Sequence, residues 1–247
     1  MYKRLLAGSV LALFYAGAVQ ASNIITFEGF DKGTIIDDEF VVSNGVTING
    51  VNVDRGASNM AVIFDSNASS TADPDLEAPF YNTNGQNLGV ANPGNVLIIH
   101  EHPSECNGIT CGDDPDDEGS RPAGYFDIIF DQPVTLNSID FFDVESGENG
   151  NTSNNLITVL GTGTYDPFYT PNTGGDNTWA RLYFNLVGVT SLKIKLYGSG
   201  AIDNIDYSLV NVPAPGTLAL FVLGLIAVWS GRSRARSSAR PLAQALV

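Results

Sequence analysis

The chain has 247 residues, 27 of them acidic and 12 basic, for a formal net charge of −15. All 27 acidic residues lie between Ser22 and Val212, where only six basic ones stand. Neutralising a phosphate backbone takes clustered Lys and Arg, so this balance excludes nucleic acid as a partner; surplus carboxylates serve solubility or are neutralised by hard divalent cations.

The first residues follow the order of an export signal. Lys3 and Arg4 carry positive charge, residues 5–18 are apolar, and Val19-Gln20-Ala21 ends on a small side chain. Residues 1–21 are therefore expected to be a signal peptide, with the mature chain starting at Ser22.

From there to Asn211 no 3.6-residue apolar period runs for the length of a helix; short alternating runs dominate. Strands are expected at residues 24–27, 61–64, 96–99, 134–144, 156–160 and 202–209. Val46 to Asn49 and Val51 to Val53 alternate across a turn-like Asn49-Gly50 pair. Phe126, Ile128 and Phe130 share one face of another strand; Leu182, Phe184 and Leu186, then Leu192, Ile194 and Leu196, mark two more. About ten such strands predict an all-β domain over residues 22–211, a β-sandwich of jelly-roll type, with enough chain for one sizeable core. No internal repeat is visible. The connections at 66–95 and 101–124 are long and rich in Asn, Asp, Gly and Pro, as functional, ion-bound or mobile loops are.

The two cysteines, Cys106 and Cys111, sit in a chain expected to be exported, and oxidising compartments favour pairing. A small loop-closing disulfide is the expectation. A zinc site from both thiols with His100 and His102 is the alternative, although the spacing is not that of typical zinc sites.

Three acidic groups offer oxygen ligands of the kind calcium takes. The first joins Asp65-Ser66-Asn67 to Asp73-Pro74-Asp75-Leu76-Glu77. The second is Asp113-Asp114-Pro115-Asp116-Asp117-Glu118, just after the cysteines. The third pairs the domain's two ends, Glu28 with Asp203-Asn204-Ile205-Asp206. Expected metal ligands are Glu28, Asp203, Asp206, Asp65, Asp73 and Asp75. Asp203→Ala should remove most of a calcium-dependent rise in melting temperature and Asp116→Ala little. None of these groups is an EF-hand loop, and a solvated acidic face is the plain alternative for each.

Support for catalysis is thin. Carboxylate pairs suit glycosidases, but 27 acidic residues produce such pairs by chance. His100-Glu101-His102 is the best enzyme lead; in a strand both imidazoles share one face with Glu101 opposite, and Pro103 ends the strand, which reads as a surface strand end. No nucleophile elbow, H-E-x-x-H or phosphate-cradling loop is present. No catalytic residue is assigned. Tyr165, Tyr169 and Trp179 are candidates for stacking on sugars, with a core or rim position as the alternative.

After Val212-Pro213-Ala214-Pro215 comes an apolar run at 218–229, broken only by Gly224, then Arg232, Arg234, Arg236 and Arg240. The run is short of the about 20 residues that span a bilayer and apolar on all faces, unlike an amphipathic surface helix. The arginines would hold that end in the cytoplasm, with the domain outside. Val212-Pro213-Ala214-Pro215-Gly216-Thr217-Leu218-Ala219-Leu220, the apolar run and the arginines resemble a PEP-CTERM sorting signal. Ala214 stands where that motif has glutamate, and the tail is longer than usual. The resemblance implies a sorting signal at 212–236 around Val212, Pro213 and Pro215, a membrane helix at 217–230, and a basic cytoplasmic tail at 237–247. It also implies processing by an exosortase-like membrane enzyme and export from a Gram-negative cell that makes exopolysaccharide and biofilm.

The Glu28 and Asp203-Asp206 pair resembles the calcium site that joins first and last strands in jelly-roll carbohydrate-binding modules. Glu28-Gly29, Asp73-Pro74-Asp75-Leu76, Gly94 to Glu101, Pro115-Asp116-Asp117-Glu118 and Pro133 to Leu136 resemble segments of secreted PEP-CTERM domains. These likenesses imply a non-enzymatic protein anchored in the inner membrane before sorting, then at the cell surface or outside it, stabilised by Ca2+ and associated with extracellular polysaccharide. A structural or adhesive matrix component without a ligand pocket, and a polysaccharide-degrading enzyme, remain the alternatives.

Overall fold

The computed structural model describes residues 22–82, 93–112, 114–145 and 152–210. The expected signal peptide (1–21), the sorting motif at Val212, Pro213 and Pro215, the helix at 217–230 and the tail at 237–247 lie outside the described residues. Among those described, no helix is long and apolar enough to cross a membrane.

The domain is all-β. Its strands are β1 (Asn23–Ile25), β2 (Val46–Asn52), β3 (Ala57–Ser58), β4 (Ala61–Asp65), β5 (Tyr81–Asn82), β6 (Asn95–Ile99), β7 (Gly124–Phe142), β8 (Leu156–Gly161), β9 (Phe168–Tyr169), β10 (Thr178–Leu196) and β11 (Ala201–Leu209), with a one-turn helix α1 (Val41–Asn44) before β2. All eleven join one hydrogen-bonded sheet, with a main path β4-β6-β11-β7-β10-β8-β9; β1 pairs β11, and β2 pairs β7 and β3. Every pairing is antiparallel except β5 with β10.

The sheet is organised around β7 and β10, each 19 residues long and paired from Phe142↔Trp179 to Gly124↔Leu196. The first half of β7 also carries β2 and the second half β11, while the end of β10 carries β8. The residues that read as breaks between four strands are irregularities inside two. Pro133 is exposed where a proline does not interrupt the ladder. Asn185 (φ 52°) and Gly188 (φ 83°) sit at register shifts of β10, so the chain bends without ending the strand. Asn49-Gly50 likewise proves to be strand interior, not a turn. A Cβ on Gly50 would stand 2.3 Å from the Ala61 amide nitrogen, so glycine is what allows β2 to pass so close to β4.

Alternation sets the core. Phe126, Ile128 and Phe130 of β7 point inward with Val46 and Ile48 of β2 and Leu192, Ile194 and Leu196 of β10. Where β4, β6, β11 and β7 adjoin, both faces are covered: Ala61, Ile63, Leu97, Ile99, Phe141 and Ile202 join the first cluster, whereas Val62, Phe64, Val96, Ile98, Phe142 and Ala201 join a second. That is why residues 61–64 and 96–99 read as unbroken apolar runs. The second cluster is roofed by Leu76 and Phe80 from the β4–β5 connection and by Cys111. Phe80 meets Phe142 edge-on at 4.8 Å between ring centres. Burying one such ring stabilises by about 1.5–3 kcal/mol, and Leu76, Phe80 and Cys111 thereby hold residues 74–80 and the disulfide against the sheet.

Candidate metal centre

One row of the sheet places three charged residues side by side: Asp203 on β11, Asp140 on β7 and Arg181 on β10. It lies two residues along from Ala201, Phe142 and Trp179, on the second-cluster face. A bulge at Asn204 (φ 51°) keeps Ile202, Ile205 and Tyr207 all in the first cluster while Asp203 faces the other way. Arg181 grips Asp140 with both ends of its fork, Nε at 2.6 Å and Nη2 at 2.8 Å. Asn204 Nδ2 donates to Asp140 Oδ2 at 3.0 Å and to Asp203 Oδ2 at 2.9 Å. Asp203 itself is only 2% exposed, and its Oδ1 has no hydrogen-bond partner. Burial pushes its carboxyl from 3.8 up to about 8, and the charges of Asp140 and Glu28 add to the rise.

Glu28 adds its charge at Asp203 but, among the described residues, joins no group of three ligand side chains converging within 4.8 Å. Its Oε1 accepts the Asn95 amide at 2.9 Å, and a Cβ on Gly94 would overlap that oxygen, so glycine at positive φ makes room for it. Asp206 is engaged elsewhere, accepting from Ser22 Oγ and, at 2.9 Å, from Asn137 Nδ2.

A second group of carboxylates gathers further along the same end of the sheet, past the Ala201–Phe142 row, where the β10–β11 turn meets the end of β7. Asp73, 9% exposed, precedes a 3-10 turn at Pro74–Leu76. Asp116 and Asp117 lie in the stretch between the disulfide and β7, which continues the sheet past β6 through the bridge His100↔Asp117. Side-chain oxygens of Asp73, Asp116 and Asp117 lie within 4.8 Å of one another. Asp73 Oδ1 accepts the Asp75 amide at 3.2 Å, and its Oδ2 has no hydrogen-bond partner. Asp117, 5% exposed, accepts the Gly200 amide of the β10–β11 turn. Asp143, buried at the end of β7, adds its charge to that felt by Asp117. Among the described residues no Lys or Arg forms an ion pair with Asp73, Asp116 or Asp117. Burial raises Asp73 to about 6, burial and the surrounding carboxylates raise Asp117 well above the usual range, and burial and Glu101 raise Asp116.

The other sequence candidates are dispersed. Asp65 holds its own turn through the Asn67 amide at 3.0 Å. Asp75 is exposed and meets Asp73 through its backbone only. Cys106 and Cys111 are joined as a disulfide, so although His100 lies beside both sulfurs, no thiolate is available for zinc. His100 is buried, with Nδ1 3.1 Å from the Asp116 carbonyl oxygen, and burial holds its pKa below the usual value. Tyr165 donates its hydroxyl to the Val187 carbonyl at 3.0 Å, Tyr169 pairs with Leu156 in β9, and Trp179 packs on the second cluster with its indole N–H buried. The three aromatics stand at separate points of the sheet.

Fold and site together define an all-β domain with two groups of closely set carboxylates: Asp140 and Asp203, where Arg181 clamps Asp140, and Asp73, Asp116 and Asp117, where no Lys or Arg pairs among the described residues and His102 stands beside half-buried Asp116. No protein-family model, curated protein or solved structure matches this chain.

Proposed function

We propose that this protein is exported and non-enzymatic, a component of the cell surface or extracellular matrix whose β domain is stabilised by calcium and associates with exopolysaccharide. Its sheet closes as a sandwich of jelly-roll type across the bent strands β7 and β10. The observation that carries the reading is Asp203. It lies on the last strand, is almost wholly buried, leaves Oδ1 without a donor, and feels Glu28, three residues beyond β1. A buried carboxylate with one oxygen held by Asn204 and the other without a donor is costly to keep charged unless it binds a cation. A hard oxygen-ligated ion beside Glu28 and Asp203 would tie the first strand to the last. The export-signal pattern, the sorting-signal resemblance and the acidic exported portion support the location.

The test is fractionation of cells expressing the full-length chain tagged after Ser22. The expected result is recovery in the surface or matrix fraction, with Asp203→Asn exported but more readily lost from the matrix than wild type. Recovery of the full-length chain in the cytoplasm contradicts the reading.

A further inference from the structure

The geometry points to a separate divalent-cation site, of calcium type, formed by Asp73, Asp116 and Asp117. It shares the calcium-stabilised reading given above but uses other residues at another place in the fold.

Two independent observations carry it. Carboxylate oxygens of three residues from two distant parts of the chain converge within 4.8 Å. One of those residues, Asp73, is nine-tenths buried and keeps an oxygen that no donor reaches. A solvated acidic face has neither property, because water would satisfy its oxygens and repulsion would spread them.

The donor set selects the ion. The three converging side chains donate carboxylate oxygens, the ligands of hard cations; Asp116 also forms a separate group with Glu101 and His102, and the nearby sulfurs are spent in the disulfide. Calcium takes oxygens at about 2.3–2.6 Å, so ligands on opposite sides of it stand about 5 Å apart, a span that oxygens within 4.8 Å of one another fit. Asp117 Oδ2 is oriented by the Gly200 amide, a supporting contact of the kind that fixes a ligand. Asp143 adds negative charge from the end of β7.

The consequence is mechanical. Asp73 belongs to the β4–β5 connection, Asp116 and Asp117 to the stretch after the disulfide, and Gly200 to the β10–β11 turn. An ion there clasps both long connections to the sheet end over Phe80 and Phe142. The expectation that Asp116 matters little is revised accordingly, since it approaches Asp73 and Asp117 and not an empty surface.

The experiment is calorimetric titration of the full-length chain with calcium alone, with thermal melts in calcium and in chelator, for wild type, Asp73→Asn, Asp117→Asn and Asp203→Asn. Wild type should bind calcium at the ~1 mM level or tighter, the range of extracellular sites. Asp73→Asn and Asp117→Asn should each weaken the site at least about tenfold, while Asp203→Asn leaves it in place. In chelator Asp117→Asn should melt no lower than wild type, because asparagine still accepts the Gly200 N–H and removes a buried charge; a purely structural aspartate would give a lower melt in both media. If Asp117→Asn does not fold, Asp73→Asn and Asp116→Asn carry the same test. Calcium binding unchanged in Asp73→Asn and Asp116→Asn overturns the site, as does wild type that takes up no calcium at ~1 mM. Loss of binding in Asp203→Asn alone would leave the Glu28–Asp203 reading standing and this one refuted.

Discussion

Asp117 and Glu118 are neighbours in the chain, both buried, and stand in opposite electrostatic settings. Glu118 accepts from Asn52 Nδ2 at 2.8 Å and from the Ser120 amide at 2.8 Å, with Arg55 Nε 3.6 Å away. Burial alone would push its carboxyl up, but these donors hold it below the usual range. Asp117 faces Asp73, Asp143 and Asp116 instead, and is driven upward. The same contrast separates Asp140, clamped by Arg181, from Asp203 beside it. Buried carboxylates in this fold are thus of two kinds: those with a partner built into the chain, and those whose charge is balanced only by something exchangeable, a proton or a metal ion.

That division predicts different responses to the same insult. The largest effect should come from removing a built-in partner. Arg181→Met leaves Asp140 buried without its cation and should lower stability by about 3 kcal/mol, at the low end for a broken buried pair because the arginine is partly exposed. Urea unfolding checks it, and the loss should be the same with and without calcium; a calcium-dependent loss would mean that the two kinds of carboxylate are not separate. A smaller effect should follow pH. Asp203 has a folded-state pKa of about 8 against 3.8 ordinarily, so the folded state holds its proton where the unfolded state has lost it. Its contribution to stability therefore falls as pH rises from about 4 to about 8 and is constant outside that window. Asp203→Asn removes this slope. In chelator the variant's advantage over wild type should grow by more than about 1 kcal/mol across the window, and parallel pH profiles would contradict the assignment.

The legible part of the fold was what alternation records. Phe126, Ile128 and Phe130 lie in the core as their spacing implies, and the all-β class follows from many such runs. What local pattern could not record was continuity. Gln132-Pro133, Gly188 and Asn49-Gly50 carry turn chemistry, yet β7, β10 and β2 run through them because long-range pairing outweighs local propensity. The site was legible in the same partial way. Glu28, Asp203, Asp206, Asp65, Asp73 and Asp75 stood out alike by residue type, and of these only Asp73 joins a converging group among the described residues. The partnership of Asp73 with Asp116 and Asp117 depends on two long connections folding over one sheet end, a distance of more than forty residues that no spacing rule reaches. The bridge between His100 and Asp117 was the local clue available in hindsight: the acidic stretch continues a strand that the His100-Glu101-His102 run had already been expected to end.

The central claim, that Asp73, Asp117 and Asp203, which no Lys or Arg pairs with among the described residues, bind a cation, is met most directly by one measurement: calorimetric unfolding of the full-length chain at neutral pH with calcium and with chelator. An ion bound only to the folded state adds about 2.7 kcal/mol at a hundredfold excess over its Kd, which in a domain of this size corresponds to a melting temperature higher by roughly 5–10 °C. The account predicts that rise with calcium and its reversal by chelator. Identical melting in the two media would contradict it, leaving Asp73, Asp117 and Asp203 as carboxylates balanced by protons alone.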